Sequence, residues 1–399
     1  MVNELSATSR ARSGALFSYG FRPFFLSTLI YALVVLIAWL LIRVDGRAPL
    51  PGLPPQLWHA HEMLFGFIVA AIAGFLLTAV PSWTGGKPLV GARLISLWAL
   101  WILGRLAFAV GAIMPIKLLS LIELAFLPAL ALAIAPALIR ARNRNIFVLF
   151  VLAALWLCDA TFMCAMALND LVLGSRVMQV SGDLILVLIT VVGGRIVPVF
   201  TANALKQSGV VIHVRSSAWL ERLVIGTMVA LVVLDAVGSS NSALIAGVAA
   251  AAAVAHVLRL VRWQGHRVLR QPILWVLHLA YVWLPVGLGM RAVYELTQAD
   301  WASQWFHALA VGGAALMIVA VMTRASLGHT GRPLIAPPPV TLAYLMIAAG
   351  ALLRAFGTAV LGHELAIWIA GTLWVCAFAL LLMYYAPILT EPRADGRPG

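Results

Sequence analysis

Trp58-His59-Ala60-His61-Glu62 gathers two imidazoles and a carboxylate within five residues, at the head of an apolar run that follows Pro54-Pro55. Imidazole nitrogens bind haem iron and copper, and a carboxylate close by can orient them. His307 opens a second apolar run at an equivalent depth. Two histidines on neighbouring helices at one level are what a bis-imidazole haem needs, one nitrogen approaching each face of the porphyrin. The small residues behind each histidine (Gly66 and Gly74; Gly312 and Gly313) leave room for a flat macrocycle. The competing reading makes both histidines interfacial, half solvated and bonded to loop carbonyls. Spacing alone leaves the two readings level.

If the chain is helical at His59 and His61, residues two apart point about 200° apart and share no metal. Either His59 serves a second centre, or the chain is still extended there and the two converge. With Glu62 as a supporting partner, His59 is the first candidate for a copper ligand. His278 lies about two turns inside another apolar run, either as a ligand of a further centre or as a histidine bonded across helices. The candidate metal ligands are thus His59, His61, His278 and His307. His329, in Ser326-Leu327-Gly328-His329-Thr330-Gly331-Arg332-Pro333, reads as part of a shaped turn. His213, His256, His266 and His363 read as surface or interfacial residues.

Two carboxylates, Asp159 and Asp183, fall inside apolar runs, where an unpaired charge is costly. Each is expected to meet a partner or to line a polar path for protons or water. Arg105 and Arg195 are the candidate ion-pair partners, for these acids or for haem propionates. Thr84, Thr201, Thr330 and Arg324 sit near run ends and read as caps and headgroup contacts.

These groups need elements to hold them, and composition says what kind. The chain is 63% hydrophobic and 10% charged, against about 25% charged in soluble domains. Lipid is therefore its main solvent. A helix crosses the hydrocarbon core in about 20 residues, and apolar runs fall at 23–43, 59–82, 93–113, 117–139, 146–168, 175–203, 217–237, 242–261, 272–292, 303–324, 339–360 and 364–388. The expected fold is an all-α integral membrane protein of about twelve transmembrane helices, one polytopic domain over residues 1–399 with short tails at 1–20 and 389–399. Met1 to Arg12 is polar, so no cleavable leader is expected. Cys158, Cys164 and Cys376 lie in apolar runs and read as small buried hydrophobes. No phosphate loop, CxxC pair or CxxCH haem attachment occurs, so any haem would be held non-covalently.

The formal charge of +13 does not indicate nucleic acid, because its cations sit singly or in small groups between apolar runs. Alternate loops carry Arg10 and Arg12, Lys87 and Arg93, Arg140, Arg142 and Arg144, Lys206 and Arg215, Arg259 to Arg270, Arg332, and Arg393 and Arg397. The opposite loops show Arg43, Arg47, Lys117, Arg176 and Arg291, partly offset by acids. The positive-inside rule puts both termini in the cytoplasm and His61 and His307 at outer helix ends.

Spans two, six and ten align without gaps at offsets of 117 and 246 residues. His61 then matches Met178 and His307, Gly66 matches Asp183 and Gly312, and Thr84 matches Thr201 and Thr330. The expected architecture is a threefold repeat of four-helix units, spans 2–5, 6–9, and 10–12 closed by span 1.

Four motifs in order, Gly20-Phe21-Arg22-Pro23-Phe24-Phe25, Trp58 to Met63, Gly193-Gly194-Arg195-Ile196-Val197-Pro198 with Thr201 to Ala204, and Ser326 to Pro333, resemble the NnrS family from about residue 15 to residue 390. That resemblance implies a twelve-span protein of the bacterial inner membrane that binds haem and copper. It also implies a role in protection against nitric oxide and nitrosative stress, linked to denitrification. The architecture further resembles the catalytic subunit of haem–copper oxidases, whose haem histidines lie near the outer ends of spans two and ten. Those enzymes place copper histidines on spans six and seven, which carry none here, so their chemistry does not carry over.

The leading expectation is a haem- and copper-binding protein with nitric oxide as ligand, and whether it turns that ligand over is open. A twelve-span transporter is the alternative; its usual inverted or paired repeats and midplane site fit a threefold repeat poorly. A quinol-linked nitric oxide reductase-like enzyme is the other, and it needs a binuclear site that these histidines do not build.

Overall fold

The computed structural model describes residues 14–46, 50, 52–209 and 217–397 of the chain. Arg10, Arg12, Arg47, His213 and Arg215, used in the charge and histidine readings, lie outside the described residues. Twelve long helices follow one another, and no strand occurs among the described residues. They are α1 Phe21–Asp45, α2 Pro55–Thr84, α3 Gly91–Ala109, α4 Ile116–Arg140, α5 Arg144–Leu168, α6 Leu171–Gln207, α7 Ala218–Ala236, α8 Ser242–Val261, α9 Pro272–Thr297, α10 Asp300–His329, α11 Pro338–Phe356 and α12 His363–Thr390.

Eleven of these are long and apolar enough to cross a membrane. The other, α7, carries Glu221, Arg222 and Asp235 within 19 residues. It occupies the expected seventh span, and Glu221 and Asp235 are both taken up by buried arginines. The described helices match the twelve expected runs closely. The largest differences are C-terminal, where α9 runs on to Thr297 and α10 to His329. Arg291, counted with the loop cations although it falls at the end of the expected ninth run, lies more than a turn inside α9.

The chain divides into two compact units, one formed by 1–181, 322–334 and 381–399, the other by 182–321 and 335–380. In the first, α2 is the most enclosed helix, with 83% of its apolar window buried, whereas α4 buries 33% and turns most of its surface outward. Short connections reverse the chain at each step from α2 to α5. The heads of α2 and α4 therefore meet the tails of α3 and α5 at one end of the unit. In the second unit α9 and α10 are the enclosed helices, at 72% and 67%, and α9 packs chiefly on α8 and on the head of α10.

Two helices depart from α geometry at matching places. Glu62–Ile68 in α2 and Ala308–Ala315 in α10 are π-helical, each beginning at the residue after a histidine, His61 or His307. Their starts differ by the 246 residues that relate the two spans in sequence. Both histidines thus precede a widened turn of the kind that often marks functional positions. Throughout α6 the helix is unbroken α.

The three threonines of the repeat close on their own helices. Thr84, Thr201 and Thr330 donate to the carbonyls of Val80, Val197 and Ser326 at 2.8, 2.9 and 2.6 Å. Around the turn after α10, Phe21 and Tyr19 lie beside the His329 ring, and the His329 carbonyl accepts from Arg393 at 2.7 Å. Arg22 reaches the carbonyls of Leu389 and Glu391 at 3.1 and 2.7 Å. The first and last quoted motifs of the sequence thus pin the end of α12.

Candidate metal centre

Pro55 starts α2 at a position where its missing N–H is no loss, and the first two turns carry His59 and His61 to opposite sides. The helical alternative of the sequence reading is the one observed. His59 stacks on Trp39, centroids 4.5 Å apart, with Arg43 over the same indole. It is not brought to His61. His61 points inward and is fully buried.

Around His61 the tails of α3 and α5 and the head of α4 deliver charged groups. Its Nδ1 lies 2.8 Å from Glu62 Oε1, and its Nε2 lies 3.2 Å from Asp159 Oδ1 and 3.9 Å from Glu123 Oε1. Arg105 donates to Glu62 at 2.5 Å and also to Glu123. Tyr31 of α1 donates to Glu62. All of these carboxylates are buried, and each has a cationic or protic partner, as burial demands. The imidazole is packed by Phe108, Phe162 and Phe65 with centroids at 4.1, 5.0 and 5.1 Å. The widened turn also finds a side-chain donor, Trp101 Nε1 to the Gly66 carbonyl at 3.2 Å.

The donor set that results is chemically specific. One ligand atom each from His61, Glu123 and Asp159 lies within 4.8 Å of the others. Donors held about 2.0–2.2 Å from an ion sit roughly 3–4 Å from one another, so these positions need only a small contraction. One imidazole and two carboxylates suit a divalent transition ion of borderline softness, copper among them. Glu123 Oε2 is buried without a hydrogen-bond partner, which leaves this carboxylate with coordinating capacity to spare. With an ion bound, a proton kept on Nδ1 and donated to Glu62 would leave the Nε2 lone pair free for the metal.

A haem on His61 does not fit this arrangement. Its Nε2 faces Asp159 and Glu123, and aromatic rings cover the imidazole. The glycines expected to leave room for a macrocycle are filled by the protein itself. A Cβ on Gly66 would stand 2.3 Å from the Tyr31 ring, on Gly74 2.7 Å from Phe25, and on Gly312 2.2 Å from Trp283. Small residues here admit neighbouring side chains.

The second unit holds its own buried charges. Arg291 (1% exposed) is 2.5 Å from Asp235 and 3.7 Å from Asp183, with Glu295 at 3.9 Å one turn along. The Arg291 guanidinium lies 4.5 Å from the Trp305 ring centroid. Asp183 therefore has the partner expected of it, but that partner is Arg291, while Arg195 is exposed. Arg105 likewise pairs with Glu62 and Glu123 in place of the expected aspartates. Close by in sequence, His307 heads the widened turn of α10 and is half-buried.

His278 donates to or accepts from Thr201 Oγ1 at 2.9 Å; of its two sequence readings, the cross-helix bond is present. His256, expected at a surface, is fully buried. It bonds Tyr281 at 2.8 Å, and Tyr281 in turn accepts from Arg259 at 3.0 Å. Arg259 also holds Glu221 and the Thr190 carbonyl, so this cation too belongs to the interior and not to a loop. Its guanidinium explains a motif glycine, since a Cβ on Gly194 would fall 1.9 Å from Arg259 Nη2. Sequence reasoning misses Glu123, Asp235 and Tyr31, and it counts Arg291 as a loop cation. Glu123 and Asp235 carried the same signal as Asp159, an acid inside or bordering an apolar run.

The family model for NnrS, described as NnrS protein, matches residues 15–393. No curated protein matches the chain.

Proposed function

This chain belongs to the NnrS family, and we propose that it is a metal-binding protein of the bacterial inner membrane that protects against nitric oxide and related nitrosative stress, in connection with denitrification. The observation that carries this reading is the buried set of His61, Glu123 and Asp159, whose donor atoms lie within 4.8 Å of one another. Copper is the ion we assign to it, held by Nε2 of His61 and one oxygen from each acid. A bound copper ion would supply an exchangeable coordination position and one-electron chemistry.

The remaining residues act on the ligands. Glu62 fixes the His61 tautomer, Arg105 spans Glu62 and Glu123, and Tyr31 steadies Glu62 from α1. The phenyl rings of Phe108 and Phe162 exclude water from the imidazole faces. Haem, the other cofactor the family resemblance implies, has no place on His61, whose Nε2 faces Asp159 and Glu123. On the distribution of Lys and Arg along the sequence, we propose that both termini are cytoplasmic.

The test is to purify the full chain in detergent and record metal content by mass spectrometry together with the visible absorption spectrum. Copper near one ion per chain is expected, lost in His61→Ala and in Asp159→Asn but kept in His307→Ala. A colourless, metal-free protein that drives solute uptake into vesicles would instead make it a transporter. Nitric oxide consumption measured with an electrode then separates an enzyme from a binding protein.

A further inference from the structure

At the end of the first unit away from His61, an open groove of about 1080 Å³ runs between the start of α3, the end of α4 and the loop after α2. Its shape follows from sequence. Ala129, Ala133 and Ala137 recur every four residues, so they line one face of α4 with nothing larger than a methyl group. Opposite them stand Leu97 and Leu100 of α3. Pro136 lacks the N–H that would bond the carbonyl four residues back, and its own carbonyl accepts from Arg140 Nε at 3.0 Å. From Ala129 to Arg140 the helix rises about 16 Å, close to half of the ~30 Å hydrocarbon core. The groove is as deep as one leaflet.

Its mouth is cationic. Lys87, Arg93 and Arg140 border it, no acidic residue lines it, and all three are exposed. None of the three meets a carboxylate among the described residues. A ligand for this site needs an anionic head at the helix ends and an apolar tail lying against alanine and leucine. A free phosphate would use the mouth and leave the walls bare. The walls are open to lipid along their length, Leu132 being 74% exposed.

We propose that this groove is a binding site for an anionic phospholipid, its phosphodiester head among Lys87, Arg93 and Arg140 and one acyl chain along the alanine face of α4. This does not depend on the metal centre. Basic pockets between helices recognise such heads by charge, at about fivefold in affinity per cation near the surface, so roughly a hundredfold for three.

The full chain in detergent is titrated with phosphatidylglycerol or phosphatidylcholine and read by native mass spectrometry, with melting temperature in parallel. We expect phosphatidylglycerol adducts to persist and to raise the melting temperature at roughly a hundredth of the phosphatidylcholine concentration. The triple change Lys87→Ala, Arg93→Ala and Arg140→Ala should bring the two lipids level. Ala133→Phe, which fills the wall and leaves every cation in place, should weaken phosphatidylglycerol as well. Equal binding of the two lipids by the unaltered protein overturns the proposal. So does unchanged binding in Ala133→Phe, or displacement of the lipid by millimolar inorganic phosphate, which would make the mouth an anion site only.

Discussion

The two buried charge clusters, one around Arg105 in the first unit and one around Arg291 in the second, begin from the same problem and end differently. Each sets one arginine against three carboxylates: Glu62, Glu123 and Asp159 in the first, Asp235, Asp183 and Glu295 in the second. In the second, the guanidinium is 2.5 Å from Asp235 and 3.7 Å from Asp183, Glu295 is 18% exposed at the helix end, and Trp305 covers the guanidinium. In the first, all three acids are buried, Tyr31 donates to Glu62, and an imidazole turns its Nε2 toward the other two. The imidazole that faces two acids is what makes the first cluster a ligand set.

The largest effect should come from removing the arginines. Arg291→Met leaves buried acids without their cation, which costs about 3–5 kcal/mol, and added copper should not restore the melting temperature. Arg105→Met should cost as much in metal-free protein and recover part of the loss when copper is supplied. Equal rescue of both would erase the distinction between the clusters.

Next comes metal retention. Glu62→Gln keeps the shape of the His61 partner but weakens its orientation, and such outer contacts carry about 10–100-fold in metal affinity. A competitive chelator titration should show that loss, whereas Asp183→Asn should match the unaltered protein. Metal lost in Asp183→Asn would show that the second cluster is no bystander.

A smaller and symmetrical effect is expected at Gly66 and Gly312. Alanine at either displaces an aromatic ring, Tyr31 or Trp283, and overpacking of this kind costs about 1–3 kcal/mol. Chemical denaturation should find both destabilised, but only Gly66→Ala should also weaken the metal, because Tyr31 holds Glu62.

The smallest effect should lie outside both clusters, in the exposed pair Arg393–Asp395. The Arg393 guanidinium donates to Asp395 and holds its carboxyl below the ordinary 3.8. A carboxyl lowered on folding contributes above its unfolded value and loses that contribution as the pH falls through the folded one. Asp395→Asn should therefore leave the melting temperature almost unchanged at neutral pH, with any difference vanishing in acid.

Much of this was legible in the residues. Apolar runs located the twelve helices because lipid leaves a helix no other composition. His61, Asp159 and Arg105 stood out as polar groups inside such runs, and the chain does bring them together. Arg259 and Arg291 were misread for a physical reason. A charge count treats every cation near a run end as solvated, and it has no means of knowing that Glu221 or Asp235 waits on the next helix. Glu123 was passed over although it differs from Asp159 only in lying nearer a helix head. The widened turns had no signature at all, since a π turn is a matter of hydrogen-bond register, and Glu62–Ile68 has the composition of any buried helix.

Those turns bear on how the three repeats are to be compared. A residue inserted into a helix advances everything beyond it by about 100°. Because α2 and α10 carry the widened turn at the same place, their gapless match keeps phase on both sides of it. Throughout α6 no such turn occurs, so its match to α2 can hold phase on one side only. If Thr201 and Thr84 are aligned beyond the turn, the α6 residue facing as His61 does is a neighbour of Met178 and not Met178 itself. The third copy is a rotated relative, and a histidine engineered into α6 to imitate His61 would have to be placed by angle, not by counting.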